Sequence, residues 1–491
     1  MKDYSPKRRT AVVFSGSGTS GAYHAGVLRA LDESGVKVDV VVGSGIGALS
    51  AAFWAVDGGG RLYGKGGFWD GVDAHAIFRV RPALAVALAL LACSFGVFLL
   101  PLALGLVAGI FLPLVLIADR ASPGLPSRVF GQVSFAPESL SGPYLAALAM
   151  PIFFLALVSL TTLGWLLWRD RRRLAEAFES LLDARPAEDR LRARLWDVVR
   201  GATLNKTPPS DAELGRRYVA LASENLGQPG FRELVVRVAD LDVGGIVPFA
   251  LLRDDRRAPF LSACAARHES GTSAVDLSAP GLDALLFDAV ATGVLTAVAG
   301  PLRRVSFPRG GPFSGETHRL TDATLVAETG LADAQAAGAE QVIVVSAAPQ
   351  EPRRNPRKRG PRARVDATLA TLEAQALATD LAEAQRLNRI VAALGHRVDD
   401  GGRAWEDPDT GRLFRELPLW VVRPLDRSVG PAEFDGARDP ATEVVATVAD
   451  LLEQGYRDAY RQFVEPVVGA APLPQRETAK FRDVRTQPVE L

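Results

Sequence analysis

The chain has 491 residues, 48% of them hydrophobic, enough for a sizeable core in one large domain or in two or three average ones. Lys+Arg and Asp+Glu are equal at 56 each, so net charge gives no general argument for a nucleic-acid partner or an acidic substrate. Cys93 and Cys264 lie far apart in unlike sequence, which argues against a disulfide framework and a cysteine-based metal site, and no cofactor is expected.

At the N-terminus Lys2, Lys7, Arg8 and Arg9 are followed by only Ala11 to Phe14 before Gly and Ser begin, too short for the apolar region of a signal peptide. The first domain is therefore expected on the cytoplasmic side. Thr10 to Phe14 reads as a buried strand running into Ser15-Gly16-Ser17-Gly18-Thr19-Ser20-Gly21. From Tyr23 to Ser34 the apolar Val27, Leu28 and Leu31 recur at helical spacing, and Gly35 is a stop signal. Val38 to Val42 is a second strand. It ends in Gly43-Ser44-Gly45-Ile46-Gly47, followed at once by small residues of helical character. Alternation of this kind implies a parallel sheet covered by helices.

The strand, sharp turn and helix around Gly43 to Gly47 are the setting of a G-x-S-x-G nucleophile elbow, in which the turn lifts a serine above the sheet. Here Gly43 and Gly47 occupy the two glycine positions and Gly45 stands where the serine belongs.

No charged residue lies between Arg81 and Asp119, and a second charge-free run extends from Tyr144 to Trp168. Each exceeds the roughly 20 apolar residues that a helix needs to cross a bilayer. Arg79 and Arg81 before the first run, and Arg169, Arg171, Arg172 and Arg173 after the second, predict a transmembrane hairpin with both ends facing the cytoplasm. Pro101 and Pro113 leave a kinked helix, a re-entrant turn or two short helices open for the first run.

Beyond Arg173, helices are expected over Leu174 to Val199, Leu282 to Val298, Thr368 to Leu394 and Thr442 to Phe463. Strands are expected over Glu233 to Val238, Gln341 to Ser346 and Leu417 to Arg423. Arg353, Arg354, Arg357, Lys358 and Arg359 fall in a proline-rich loop, a solvated segment that is also suited to contact anionic headgroups in an anchored protein.

Residues 11 to 53 resemble the patatin-like phospholipases. In that family a G-G-G-x-R/K-G loop follows the first strand, a G-x-S-x-G elbow the next, and a D-G-G/A motif comes much later. Gly16-Ser17-Gly18-Thr19-Ser20-Gly21, Gly43 to Gly47, and Asp322-Ala323-Thr324 stand in these places. Gly21 to Leu31 resembles the family's first helix, and Leu331 to Val345 its late helix and strand.

The resemblance implies an α/β, three-layer patatin-like fold with a mainly parallel sheet, interrupted by the inserted transmembrane hairpin. Its domains would be residues 1–81, the insertion 82–173, a second part 174–468 and a polar tail 469–491. It also implies roles: Asp322 as general base, Gly45 at the nucleophile position, and Gly16, Ser17, Gly18 and Thr19 as the oxyanion loop.

Three departures qualify the resemblance. Gly45 cannot form an acyl-enzyme, Ser20 replaces a basic residue, and Ala323-Thr324 alters the turn at the aspartate. No serine has glycine at both second neighbours. Ser44 is a substitute nucleophile only if a displacement of one residue at the elbow is tolerated. The first expectation is an integral membrane protein with a cytoplasmic patatin-like domain that lacks the standard Ser/Asp chemistry and acts in lipid binding or regulation. The alternative is an active lipid acyl hydrolase with an unorthodox nucleophile. A third reading makes the hairpin the functional part, but it has no internal ionisable residue to line an ion path.

Overall fold

The computed structural model describes residues 4–73, 77–80, 182–183, 185–201, 207–267, 274–294, 300–324, 329–348, 361–394, 416–425, 429 and 445–469, together with Gly96, Ile117, Arg120, Phe154, Leu157 and Thr161. The β-branched run after Arg9 forms β1 (Thr10–Gly16), buried along its whole length. It is followed by α1 (Ser20–Glu33), β2 (Val40–Gly45), α2 (Ile46–Ala55) and α3 (Gly60–Tyr63). Next come β3 (Arg79–Val80), β4 (Leu182–Asp183), α4 (Arg185–Val199), α5 (Asp211–Asn225), β5 (Glu233–Asp240), β6 (Gly245–Leu251) and α6 (Asp254–Arg267). The remainder is β7 (Val275–Asp276), α7 (Leu286–Val294), β8 (Arg303–Ser306), β9 (Thr317–Asp322), α8 (Leu331–Ala336), β10 (Gln341–Ser346), α9 (Pro361–Leu394), β11 (Leu419–Val422) and α10 (Val448–Ala459).

Among the described residues the main sheet has the order β11-β10-β1-β2-β5-β6-β7, with β9 and β8 attached beside β5. From β11 to β5 the strands are parallel. β6 and β9 run antiparallel to β5, and β8 antiparallel to β9, so the sheet is mixed. Alternation along β1 and β2 sends side chains to two cores, as a period of two requires. Val12, Phe14 and Val41 join the core under α1, α2, α7 and α10. Ala11, Val13, Val40 and Val42 join the core under α6, α8 and α9. This makes helix, sheet and helix layers.

One detail of pairing places the candidate site. β5 pairs with β2 only as far as Ser44↔Arg237, and the next residue, Val238, pairs with Asp322 of β9. β9 thus takes over the flank of β5 where β2 stops, and its last residue abuts the end of β2.

Several expected bounds shift for local reasons. Leu182–Asp183 is strand, and the helix expected from Leu174 begins, among the described residues, at Arg185. A 3-10 turn at Asp283–Leu285 precedes α7. The last helix starts at Val448 because Thr447 and Asp450 form a reciprocal capping box.

The expected transmembrane hairpin is corrected. Among the described residues no helix is long and apolar enough to cross a membrane. α2 is wholly apolar or small, but it has only 10 residues and is buried against the sheet. α9 is long enough at 34 residues, but its sequence is amphiphilic and repeatedly charged. The membrane anchor, the integral-membrane placement with a cytoplasmic domain, and the hairpin in the fold class are therefore not supported. Of 82–173 itself, all but the six isolated positions named above lies outside the described residues. The chain divides into two compact units, residues 1–79 with 182–491, and residues 80–181.

Candidate active site

The elbow is built as its sequence suggests. β2 ends at Gly45, which has φ 58° and ψ −136°, and α2 begins at the next residue. That backbone region strongly disfavours residues with a Cβ, at a cost of about 1–3 kcal/mol. Gly43 and Gly47 allow strand and helix to touch: a Cβ on Gly43 would lie 2.4 Å from the Gly47 carbonyl oxygen, and one on Gly47 2.4 Å from that of Phe14.

The glycine loop meets the elbow through the sheet, since Gly16 pairs directly with Gly45. Ser17, Thr19 and Ser20 are all buried. Asp322 is brought in by β9 and is 1% exposed. Its Oδ1 accepts hydrogen bonds from the Thr324 N–H at 2.7 Å and the Thr324 hydroxyl at 2.6 Å. Its Oδ2 accepts from the Ser17 hydroxyl at 2.9 Å. The Thr324 hydroxyl is also 3.0 Å from the Gly16 carbonyl oxygen. The expected base position, the glycine loop and the elbow thus converge.

They converge without leaving room for a nucleophile. A Cβ on Gly45 would fall 2.1 Å from Thr324 Oγ1, 2.3 Å from the Gly16 carbonyl oxygen and 2.5 Å from Asp322 Oδ1. Side chains can swing aside, but the Gly16 oxygen belongs to the backbone of a central strand. The Thr324 hydroxyl occupies the space that a serine side chain would need, so the two departures at positions 45 and 324 are complementary.

Ser44 points to the other face. Alternation along β2 places it beside Val42 rather than Val41, and its hydroxyl accepts from Arg237 Nη1 at 3.1 Å. The Arg237 guanidinium is fully buried and paired with Asp333 at 2.6 Å. Asp333 is also paired with Arg267 at 2.7 Å. Burial alone would raise the Asp333 carboxyl, but the two guanidiniums outweigh it and hold the group below the usual carboxylate range. Cys264 borders this network, and its thiol is pushed up to about 12, mainly by burial and then by Asp333. It is not a reactive thiol.

Two participants are not marked by any motif. Glu373 lies on α9, whose buried stripe Glu373, Ala376, Leu377 and Ala384 has helical spacing. The helix is tied down two turns further on, where Asp380 accepts from the N–H and hydroxyl of Thr329, each at 2.7 Å. Burial first, and the charge of Asp322 second, raise the Glu373 carboxyl to about 8. His24 on α1 is buried and its ring is held at about 3 by burial, hence neutral, against the Ser15 carbonyl oxygen at 3.2 Å. A carboxyl on an otherwise apolar helical stripe is the signal that marks Glu373 in the sequence. Nothing in the sequence distinguishes His24 from a packing histidine.

Among the described residues no group of three or more His, Cys, Asp or Glu is placed to hold a metal ion. The polybasic residues Arg353, Arg354, Arg357, Lys358 and Arg359 lie outside the described residues.

Comparison with known proteins agrees with the elbow and the glycine loop. The chain is 48% identical over 46 residues to neuropathy target esterase sws of Drosophila sechellia, a stretch that covers 9% of this chain and 3% of that protein. It is 46% identical over 54 residues to the putative patatin-like phospholipase domain-containing protein M110.7 of Caenorhabditis elegans, covering 11% and 5%. The matched stretches thus span a small fraction of these relatives. Among solved structures, VipD from Legionella pneumophila aligns over 94% of this chain and 68% of its own at 12% identity, with a TM-score of 0.31, too low to support an argument. Residues 12–92 match the patatin-like phospholipase family model, a family of lipid-related activity, and that stretch holds both the glycine loop and the elbow.

Proposed function

We propose that this chain carries a patatin-like domain in which the standard elbow-serine acyl-hydrolase chemistry is closed off, and that it works by binding lipid or acyl groups. The observation that carries this reading is the absence of space at position 45, where Thr324 and Gly16 already stand. In a serine hydrolase, loss of the nucleophile alone costs about a millionfold in turnover. The glycine loop and Asp322 lie together at the elbow, which supports reading Asp322 as the base position and Gly16 to Thr19 as the oxyanion loop. Residues 1–81 and 174–468 are read as the two parts of one domain, 82–173 as an insertion and 469–491 as a tail. The pairing of β1 and β2 with β10 and β5 in one sheet supports this division.

The test is calorimetric titration of the full chain with an ether-linked phosphatidylcholine below its micelle concentration, a lipid with no ester to cleave. Saturable binding is expected; no heat of binding at any accessible concentration would remove the lipid-binding reading. A finer expectation concerns headgroups. The cation density at Arg353, Arg354, Arg357, Lys358 and Arg359 supports contact with anionic lipid, at about 1 kcal/mol per basic residue near the surface. Sedimentation with phosphatidylserine vesicles should exceed that with phosphatidylcholine vesicles, fall with added salt, and fall when these five residues are replaced by alanine.

A further inference from the structure

We propose that Ser17 is an acyl-accepting nucleophile activated by Asp322, a dyad displaced from the elbow to the glycine loop. The proposal goes beyond the closed elbow and rests on it, because the closure is what leaves Asp322 with a different serine.

The geometry is that of a nucleophile and its base. Ser17 Oγ lies 2.9 Å from Asp322 Oδ2 and donates to it, within the 2.6–3.2 Å reach that such pairs require. The other carboxylate oxygen is engaged by the N–H and hydroxyl of Thr324, which fixes the plane of the carboxylate and turns Oδ2 toward Ser17. The remaining serines at the site are placed otherwise. Ser44 faces Arg237 on the opposite side of the sheet. Ser20 Oγ has no hydrogen-bond partner among the described residues and so no base.

Ser17 sits where β1 gives way to α1, at the carboxyl ends of the parallel strands, where open α/β sheets hold their ligands. Glu373 fits the same picture. Burial first, and the charge of Asp322 second, raise its carboxyl to about 8.

The step balances without any co-reactant beyond an acyl ester and water. As Ser17 Oγ bonds to the acyl carbon, its proton passes to Asp322 Oδ2. The tetrahedral intermediate collapses with cleavage of the ester C–O bond, and the departing alkoxide takes the proton from Asp322. Alcohol leaves and acyl-Ser17 remains. Water then gives a proton to Asp322 and attacks the same carbon, releasing the carboxylic acid and returning the proton to Ser17. The substrate class is a carboxylic ester with an acyl chain narrow enough to reach a serine that is 4% exposed.

The experiment is labelling of the full chain with an alkyl fluorophosphonate, followed by peptide mapping by mass spectrometry and by thermal melting of each variant. One adduct is expected, on the peptide that carries Ser17. Its yield should fall at least tenfold in Ser17→Ala and in Asp322→Asn. No adduct, an adduct that survives Ser17→Ala, or a label lost only in Ser44→Ala would each overturn the proposal. If Ser17→Ala does not fold, Ser17→Cys keeps the shape and supplies a thiol. That variant should be acylated by p-nitrophenyl butyrate at position 17 and should lose acylation when Asp322→Asn is added; acylation unaffected by Asp322→Asn overturns the proposal. Binding of the ether lipid needs no nucleophile, so failure here leaves that reading standing and the two failures are distinguishable.

Discussion

Ser44 and Gly45 are neighbours in the chain and belong to different parts of the protein's physics. On the Ser44 side the sheet covers a buried ion network, Arg237 between Ser44 and Asp333, with Arg267 beyond. On the Gly45 side it meets the glycine loop, Thr324 and Asp322. A displacement of one residue along a strand exchanges one face for the other, which is why a serine beside the elbow position cannot replace one at it. A hydroxyl's neighbours, not its nearness in sequence to a motif, decide whether it can react. Ser44 has a cation as its partner; Ser17 has a carboxylate.

The greatest loss of stability is expected on the Ser44 side. Asp333→Ala takes this counter-charge from the buried Arg237, and removal of one partner of a buried pair costs about 3–5 kcal/mol. Urea unfolding should show a loss of that order. A loss below about 1 kcal/mol, the scale of an exposed pair, would mean that the network is not what holds this face together.

The next effect is one of pH and reaches the elbow through the charge of Asp322. Glu373 is held at about 8 in the folded chain, against an ordinary glutamate value of about 4.3. Between those values the folded state keeps a proton that the unfolded chain has lost, so stability falls as pH rises and levels off above about 8. His24 acts in the opposite sense: held at about 3 when folded, it lowers stability only as pH drops below its unfolded value near 6.5. The window from about pH 6.5 to 8 therefore carries Glu373, with a decline of up to about 1.4 kcal/mol per pH unit. It also carries His318, in which burial is outweighed by hydrogen bonds to Asp240 and Glu316 that raise the ring, and which acts in the same sense. Glu373→Gln should make the slope shallower, and an unchanged slope in thermal melts across that window would place the carboxyl elsewhere.

The Ser44 hydroxyl itself contributes least. Ser44→Ala removes one hydrogen bond to a charged group, worth about 1.5–3 kcal/mol when buried. Arg237 retains its ion pair with Asp333, so the lower end is expected. Denaturant unfolding checks this, and the change should leave labelling at Ser17 in place.

Much of this arrangement is legible in the amino-acid sequence. Ala11 to Phe14 and Val342 to Val345 are uninterrupted apolar runs rich in valine, and they become central parallel strands covered on both faces, the setting in which such runs are found. The elbow and glycine loop are legible because glycines at fixed spacing answer to close backbone approach.

The closure of the site is not legible there. Thr324 is 279 residues from Gly45 along the chain (324 − 45), and its contact depends on where β9 joins β5. What Glu373 faces is hidden for a similar reason, since a helix docked by Asp380 on Thr329 decides it. The membrane-hairpin expectation rests on composition and flanking charge. Composition reports how apolar a stretch is and not what covers it, and among the described residues no helix meets the requirements for a crossing.

The central claim is that position 45 is closed by Thr324 Oγ1, 2.1 Å from where a Cβ would lie, and by the Gly16 carbonyl oxygen at 2.3 Å, and that Thr324 is the obstacle a substitution can remove. The direct measurement is p-nitrophenyl butyrate hydrolysis by Gly45→Ser alone and by Gly45→Ser combined with Thr324→Gly, each compared with the unaltered chain and with the same variant carrying Asp322→Asn. The account predicts that the single variant is less stable and gains no hydrolysis over the unaltered chain, while the double variant exceeds the unaltered chain in an Asp322-dependent way that survives Ser17→Ala. A single variant as active as the double would show that the site was open all along.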